Sequence, residues 1–219
     1  MEITGKLNKL DSLTRGEVDS VLIKIGHDAG MDVLEAIRAY LRGDLIIRPK
    51  GLFLKNDNGH HVFKIFGENY LGKEEADRID AGILQMNIEA YQILINDDYN
   101  KNHLLEEDEE YTIVLVPSDE ITEGRTVEEY GLSFNYQKMR AEAVLRMQEI
   151  VTQKQMKKMG FSDIMGVHMP ISTLRGDFYS LGLSRCNSVG DEHCLLGAYS
   201  RTYDSQWNNL AFAFFAPGD

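Results

Sequence analysis

Cysteine and proline are scarce in this sequence, and long apolar runs are missing. The 219 residues include four prolines and two cysteines, Cys186 and Cys194. Two cysteines are too few for a disulfide framework, so we expect free thiols, with a loop disulfide as the alternative in an oxidising compartment. No run approaches the roughly eighteen apolar residues of a membrane-spanning helix, and the first residues do not resemble a secretory signal. We therefore expect a cytoplasmic protein without membrane insertion, with surface display as the alternative.

Positive charge is also in short supply. The sequence has 23 Lys and Arg against 35 Asp and Glu, which gives a formal net charge of −12. Nucleic acids and anionic membranes are bound through cationic surfaces, so neither is predicted as a partner. The hydrophobic fraction of 43% and the charged fraction of 26% are those of a soluble globular protein with a core of its own.

The usual signatures of catalytic and cofactor sites do not occur. The sequence has no phosphate-binding glycine loop, no G-x-S-x-G, no C-x-x-C and no H-E-x-x-H. His193 and Cys194 follow two acidic residues, but adjacent ligands of this kind bind a metal poorly without distant partners. We therefore predict no catalytic residue, no metal and no cofactor. His168, beside an apolar run, is expected to be a packed histidine with one hydrogen bond.

The first fifty residues are predicted to be a small helical or mixed region. Apolar residues recur at helical spacing over 14–25 and again over 31–41. The two short helices would serve assembly or attachment.

A hairpin is predicted next, because apolar runs at 52–54 and 62–66 flank the turn-forming segment Asn56 to Gly59. His60 and His61, at the end of this turn, are predicted to be solvated loop residues.

Further along, we expect a helix over 73–84, a helix or strand over 88–95, a polar loop over 96–102 and a doubly buried strand over 111–116. These are followed by a loop over 118–133, one long helix over 136–159 ended by Gly160, and a strand over 164–167.

The C-terminal tail alternates short apolar runs with polar clusters. Runs of four to eight apolar residues bounded by turn formers are typical of buried strands, and polar clusters between them are typical of surface loops. The last run, Leu210 to Ala216, follows the one tryptophan, Trp207. The tail is thus predicted to be a strand-and-loop module, in which rigid strands hold loops that can bind.

Short motifs from Arg140 onward occur in the same order in a known family. They are Arg140-Ala141-Glu142-Ala143, Met159-Gly160-Phe161, Val167-His168-Met169-Pro170-Ile171, Gly176-Asp177, Leu196 with Ala198-Tyr199, and Trp207 before Phe212-Ala213-Phe214. Through them the chain resembles the target proteins of diversity-generating retroelements, which are uncharacterised proteins of uncultivated small-genome bacteria.

The resemblance implies both a fold and a function. The fold would be α+β, with a C-type-lectin-like C-terminal domain over 51–219 preceded by the small region 1–50. In this family a reverse transcriptase copies a template repeat with errors at adenines, and the copy replaces the end of the gene, here about residues 181–216. The product would be a non-catalytic binding protein for an unknown ligand, expected to be a protein, and an oligomer is compatible with this function.

The predicted binding surface combines aromatic anchors with small polar side chains, which is a composition typical of adaptable binding sites. It comprises Ser184, Asn187, His193, Leu195, Gly197, Tyr199, Ser200, Thr202, Tyr203, Ser205, Gln206, Trp207, Asn208 and Asn209. Trp207 can alternatively pack in the core.

Two other functions remain open from the sequence. One is a small hydrolase in which Cys186 or Cys194 acts with His168 or His193. The other is a regulatory module that binds a partner through its acidic surface or its N-terminal helices.

Overall fold

The structure is a computed structural model that describes residues 53–80, 85–121, 124–173, 175–186, 194–200 and 209–218. All of these belong to the second of the two units into which the chain divides, Gly51–Asp219. The helices predicted over 14–25 and 31–41, and the N-terminal region 1–50 as a whole, lie outside the described residues.

Nine strands of the described chain form one mixed sheet. They are β1 (Leu54–Lys55), β2 (His61–Phe66), β3 (Gln85–Met86), β4 (Glu110–Pro117), β5 (Asp163–Gly166), β6 (Ile171–Ser172), β7 (Phe178–Ser184), β8 (Leu195–Ser200) and β9 (Leu210–Phe215). The order across the sheet is β1-β2-β4-β9-β5-β7-β8-β3, and β6 pairs with β7 beside this path. Because β9 runs antiparallel to β4 and parallel to β5, the strand that comes last in sequence lies inside the sheet.

Six α-helices accompany this sheet in the described part of the chain. They are α1 (Gly72–Asp80), α2 (Ile88–Leu94), α3 (Asp97–Asn102), α4 (Val127–Ser133), α5 (Glu142–Ile150) and α6 (Gln153–Met159). The fold is therefore a mixed α/β fold, as predicted at the level of class. None of the helices in the described ranges has the length and apolarity needed to span a membrane.

The predicted hairpin is confirmed. Strands β1 and β2 pair antiparallel, with Leu54 opposite Val62, and the connection runs over residues 56–60. The Asn56 side chain accepts hydrogen bonds from the backbone N–H groups of Asn58 (3.1 Å) and His60 (3.0 Å). Gly59 has a φ of 85°, which a glycine adopts without strain. The turn residues named by the sequence thus hold this connection.

The long helix predicted over 136–159 is wrong: residues 136–141 are not helical, and the remainder is divided into α5 and α6. Val151 has extended backbone angles, and Thr152 begins α6 as its N-cap, accepting a hydrogen bond from the Gln155 N–H at 3.2 Å. The Gln155 side chain in turn accepts from the N–H of Thr152 at 2.6 Å, which completes a capping box. The predicted end at Gly160 is confirmed, with a left-handed φ of 90°.

Two segments predicted to be loops contain helices. Asn96 caps α3 by accepting from the N–H of Asp98 at 2.8 Å, and the buried ring of Tyr99 fixes this polar helix to the core. Within 118–133, Thr126 and Glu129 form a capping box that begins α4. A short 3-10 turn, Ser118–Glu120, precedes it.

The core lies on both faces of the sheet. One face buries Leu181, Leu183 and Ile164 with residues of α2, α5 and α6, such as Leu94 and Met147. We call this the helical face.

The second face buries Val114, Phe212 and Phe214 together with Tyr136, and Tyr199 packs partly buried against them. We call this the Tyr136 face. Strand β4 contributes side chains to both faces, so its prediction as a doubly buried strand is confirmed.

Candidate functional site

The structure describes six of the fourteen predicted binding residues. They are Ser184, Leu195, Gly197, Tyr199, Ser200 and Asn209, and Ser200 and Asn209 are exposed. The other eight lie outside the described residues: Asn187, His193, Thr202, Tyr203, Ser205, Gln206, Trp207 and Asn208. Where the eight lie in sequence is informative, since they occupy the connections 187–193 and 201–208 between described strands.

Strands β7 and β8 bring four of the six onto one face. Ser184 lies opposite Leu195 in the antiparallel pair, Gly182 opposite Gly197, and Ser180 opposite Tyr199. Side chains alternate between faces along a strand, so the predicted residues of these pairs all belong to the Tyr136 face. Ser200 belongs to the opposite face by the same alternation, and it ends β8.

Tyr199 is fixed in place by the strands around it. A Cβ at Gly182 would lie 2.8 Å from Tyr199 Cε2, and one at Gly197 would lie 3.2 Å from it, so the ring rests on two glycines. The hydroxyl bonds with Ser184 Oγ and donates to Asp163 Oδ1 at 3.3 Å. Burial raises the pKa of the Tyr199 phenol well above its ordinary value. The ring is therefore a partly buried, rigid part of the surface and not a freely mobile anchor.

Asp163 is a residue that the sequence prediction missed. Its carboxylate accepts hydrogen bonds from Ser184 Oγ, from Tyr199 Oη and, at 2.6 Å, from Ser162 Oγ. The N–H of Ser162 donates to the carbonyl of Asn209 at 2.8 Å, so Asn209 belongs to the same end of the sheet. We call these five residues the Asp163 cluster. No local motif marks Asp163, because β5 meets β7 and β9 only through the sheet order.

A second polar cluster surrounds His60, and it corrects the prediction that this histidine is solvated. His60 is 1% exposed, with Nδ1 at 2.9 Å from Tyr136 Oη and Nε2 at 2.8 Å from Glu120 Oε2. The amides of Asn56 and Asn58 both donate to Tyr136 Oη, at 2.9 and 3.1 Å. With both lone pairs of this oxygen in use, the Tyr136 hydroxyl donates to Nδ1, and the Nε2–H of His60 donates to Glu120.

This His60 cluster holds the hairpin connection against the 3-10 turn and the segment after α4. The neighbouring His61 lies half-buried in β2, with its ring edge-on to Phe161 at 6.1 Å between centroids. Neither histidine is thus a solvated loop residue.

The environment of Cys194 argues against this residue as the nucleophile of the hydrolase alternative. Both Cys186 and Cys194 are free thiols, as predicted. Cys194 is fully buried and its thiol donates to the Val151 carbonyl at 3.3 Å. Burial raises the pKa of this thiol to about 12, so it is not a thiolate near neutral pH.

His168 is packed, as predicted, but it makes two hydrogen bonds and not the one expected. It is 2% exposed, Nε2 accepts from the Leu181 N–H at 2.9 Å, and Nδ1 bonds with the Met169 carbonyl at 2.6 Å. Acceptance at Nε2 puts the proton on Nδ1, which donates to that carbonyl. With both ring nitrogens engaged, His168 has no nitrogen available as a general base.

Metal binding finds no support in the described ranges. No group of three or more His, Cys, Asp or Glu residues there could hold a metal ion.

No protein-family model, curated protein or solved structure matches the chain.

Proposed function

We propose that this chain is a non-catalytic ligand-binding protein whose C-terminal surface, about residues 181–216, is diversified by a retroelement. Its ligand is a protein, recognised by side chains that vary between copies of the gene. The C-type-lectin-like classification of residues 51–219 belongs to the same proposal, because the family resemblance implies it.

One observation carries the proposal: most of the predicted binding residues fall between the described strands in the sequence, while Ser184, Leu195, Gly197 and Tyr199 lie within β7 and β8. Eight of the fourteen fall in the connections 187–193 and 201–208, while the strands that these connections join bury Leu183, Leu196 and Phe212. The described residues that flank the second connection, Ser200 and Asn209, are exposed. A division of this kind lets side chains vary without loss of the core.

The Asp163 cluster adds a rigid base to this surface. The Tyr199 ring rests on Gly182 and Gly197, and its hydroxyl is held by Ser184 and Asp163. Rigid aromatic residues give contact area at a small cost in conformational entropy, and hydroxyl groups around them can adjust their hydrogen bonds.

Sequencing of the gene and its surroundings tests the proposal most directly. We expect a reverse-transcriptase gene nearby and a near-copy of codons 180–216 that differs mainly at adenines. Among related isolates, codons within 187–193 and 201–208 should vary at adenines. The framework codons for Leu183, Leu196 and Phe212 are the internal control and should stay constant. Variation without preference for adenine, or the lack of any such copy, would contradict the proposal.

A library experiment tests the division between framework and surface in the protein itself. Residues 187–193 and 201–208 are randomised in the full chain, and the folded fraction is measured by resistance to proteolysis. We expect most variants to remain folded. A matched library over the buried strand Leu210–Phe215 should mostly unfold, and equal losses in both libraries would refute a tolerant surface on a fixed framework.

A further inference from the structure

A small cavity lies away from the Asp163 cluster, between helix α2 and the β6–β7 hairpin. It is partly open to solvent, has a volume of about 110 Å³ and is lined by Ile88, Glu89, Gln92, Thr173, Arg175, Asp177 and Tyr179. Tyr179 packs on the helical face of the sheet, so this cavity and the Asp163 cluster lie on opposite faces. We call it the α2 cavity.

The two walls of the α2 cavity are held by hydrogen bonds of the framework. In the hairpin, Thr173 donates its N–H to the Asp177 carbonyl at 2.7 Å, and Thr173 Oγ1 accepts from the Arg175 N–H at 3.3 Å. Between the walls, the Asn96 side-chain amide donates to the Ser172 carbonyl at 2.7 Å. Because Asn96 follows α2 directly, this bond sets the helix against the hairpin.

The polar groups lining the cavity have opposite charges but do not pair with each other. The Arg175 guanidinium, the Glu89 and Asp177 carboxylates and the Gln92 amide make no hydrogen bond or ion pair with any other side chain in the described ranges. Arg175 and Asp177 are exposed and Glu89 is half-buried, so these charged groups face both the cavity and the solvent. The cavity therefore presents a donor for an anion and acceptors for a cation at the same time.

We propose that the α2 cavity binds a small zwitterion, a molecule that carries a carboxylate and an ammonium group a few bonds apart. The guanidinium of Arg175 would take the carboxylate, which suits its forked donors. The carboxylates of Glu89 and Asp177 would take the ammonium.

The volume indicates the size of zwitterion that the cavity can hold. A cavity of roughly 150 Å³ accepts benzene, so 110 Å³ suits a molecule of about five or six non-hydrogen atoms. Glycine and alanine are of that size and carry both charges. This site is independent of the proposed diversified surface, since its seven lining residues include none of the predicted binding residues.

The test uses the full chain at pH 7 and follows backbone amide shifts by NMR during titration to about 50 mM ligand, because a molecule this small binds in the millimolar range. The probes are glycine, alanine, acetate and methylamine. We expect glycine and alanine to shift the amides of α2 and of residues 173–179, and acetate and methylamine each to bind at least about tenfold more weakly. The proposal would be overturned if acetate or methylamine bound as tightly as glycine. It would also be overturned if no probe produced saturable shifts.

Variants on the two walls test the roles of the charges separately. Arg175→Gln and Glu89→Gln should each weaken glycine binding by at least about tenfold, since each removes a charge-assisted hydrogen bond. Lys154→Gln and Glu107→Gln change exposed charges that do not line the cavity, and they should bind glycine as the unmodified protein does. Unchanged binding by Arg175→Gln and Glu89→Gln, with their spectra showing a folded protein, would refute the assignment.

Discussion

Glu142 offers the sharpest test of how this fold is held together. Its carboxylate is fully buried at the start of α5 and accepts three backbone N–H groups from two separate segments. The N–H groups of Glu68 (2.9 Å) and Asn69 (3.0 Å) donate to Oε1, and that of Leu105 (2.5 Å) donates to Oε2. Asn69 has a φ of 54°, which a neighbouring bond of this kind helps to maintain.

Replacement of Glu142 by alanine would leave three N–H groups without their acceptor: the buried one of Leu105 and the partly buried ones of Glu68 and Asn69. A hydrogen bond to a charged group contributes about 1.5–3 kcal/mol, but the two partly buried groups can bond to water instead and bonds that share one acceptor are not additive, so we expect a loss of about 3–5 kcal/mol. Glu142→Gln keeps the shape but turns one acceptor oxygen into a donor, and should cost about 2–4 kcal/mol.

Urea unfolding of the full chain measures these losses as changes in the free energy of unfolding at constant m-value. Glu110→Gln is the matched control, since this half-exposed carboxylate pairs with Lys64 at the surface and its loss should cost less than about 1 kcal/mol. The reasoning fails if Glu142→Ala unfolds within about 1 kcal/mol of the unmodified protein. It also fails if Glu142→Gln is as stable as the unmodified protein.

Three further predictions concern other buried groups. Gly182→Ala puts a Cβ 2.7 Å from the Ile164 carbonyl oxygen and 2.8 Å from the Tyr199 ring, and urea unfolding should show a loss of about 1–3 kcal/mol, whereas an unchanged midpoint would contradict these contacts. Cys194, with its pKa raised to about 12 by burial, should resist alkylation at pH 8 until the protein unfolds; mass mapping that finds it modified in the native protein would disprove this. Burial raises the pKa of the Glu75 carboxyl to about 7 although Arg146 lowers it, so the folded state binds this proton more tightly than the unfolded state. The stability difference between the unmodified protein and Glu75→Gln should therefore fall as pH rises from about 4.5 to 7, by up to about 3 kcal/mol, and a difference that grows with pH would reverse the assignment.

Elements defined by local signals could be predicted from the sequence. The hairpin of β1 and β2 follows from its turn residues, β4 from its unbroken apolar run, and the end of α6 from Gly160. For helix α4 a capping signal was present in the sequence, but the residues around it indicated a loop. Thr126 with Glu129 is a capping-box spacing, yet the polar composition around it favoured a loop.

The break between α5 and α6 escaped prediction for a physical reason. Both helices bury residues in the same core, Leu145 from α5 and Met156 from α6, so the apolar pattern continues across the break. Thr152 caps α6 and so marks the break between the helices. Because threonine also occurs inside helices, its presence alone did not predict the break.

Contacts between segments that are distant in the chain could not be predicted from the sequence. His60 is buried because Tyr136 and Glu120 reach it from segments 76 and 60 residues away. Asp163 joins the candidate site because β5 lies between β9 and β7. Neither position carries a local pattern, and only the sheet order creates these neighbourhoods.

The position of β9 inside the sheet affects how the protein is made. Strands β4 and β5 both pair with β9, which is the last of the nine strands to leave the ribosome. Until then a nascent chain carries two half-sheets with open edges, each presenting unpaired backbone groups to other chains. Closure needs pairing over long sequence separations, which is slow. We therefore expect newly made protein to depend on chaperones and to aggregate when chains are synthesised faster than chaperones release them.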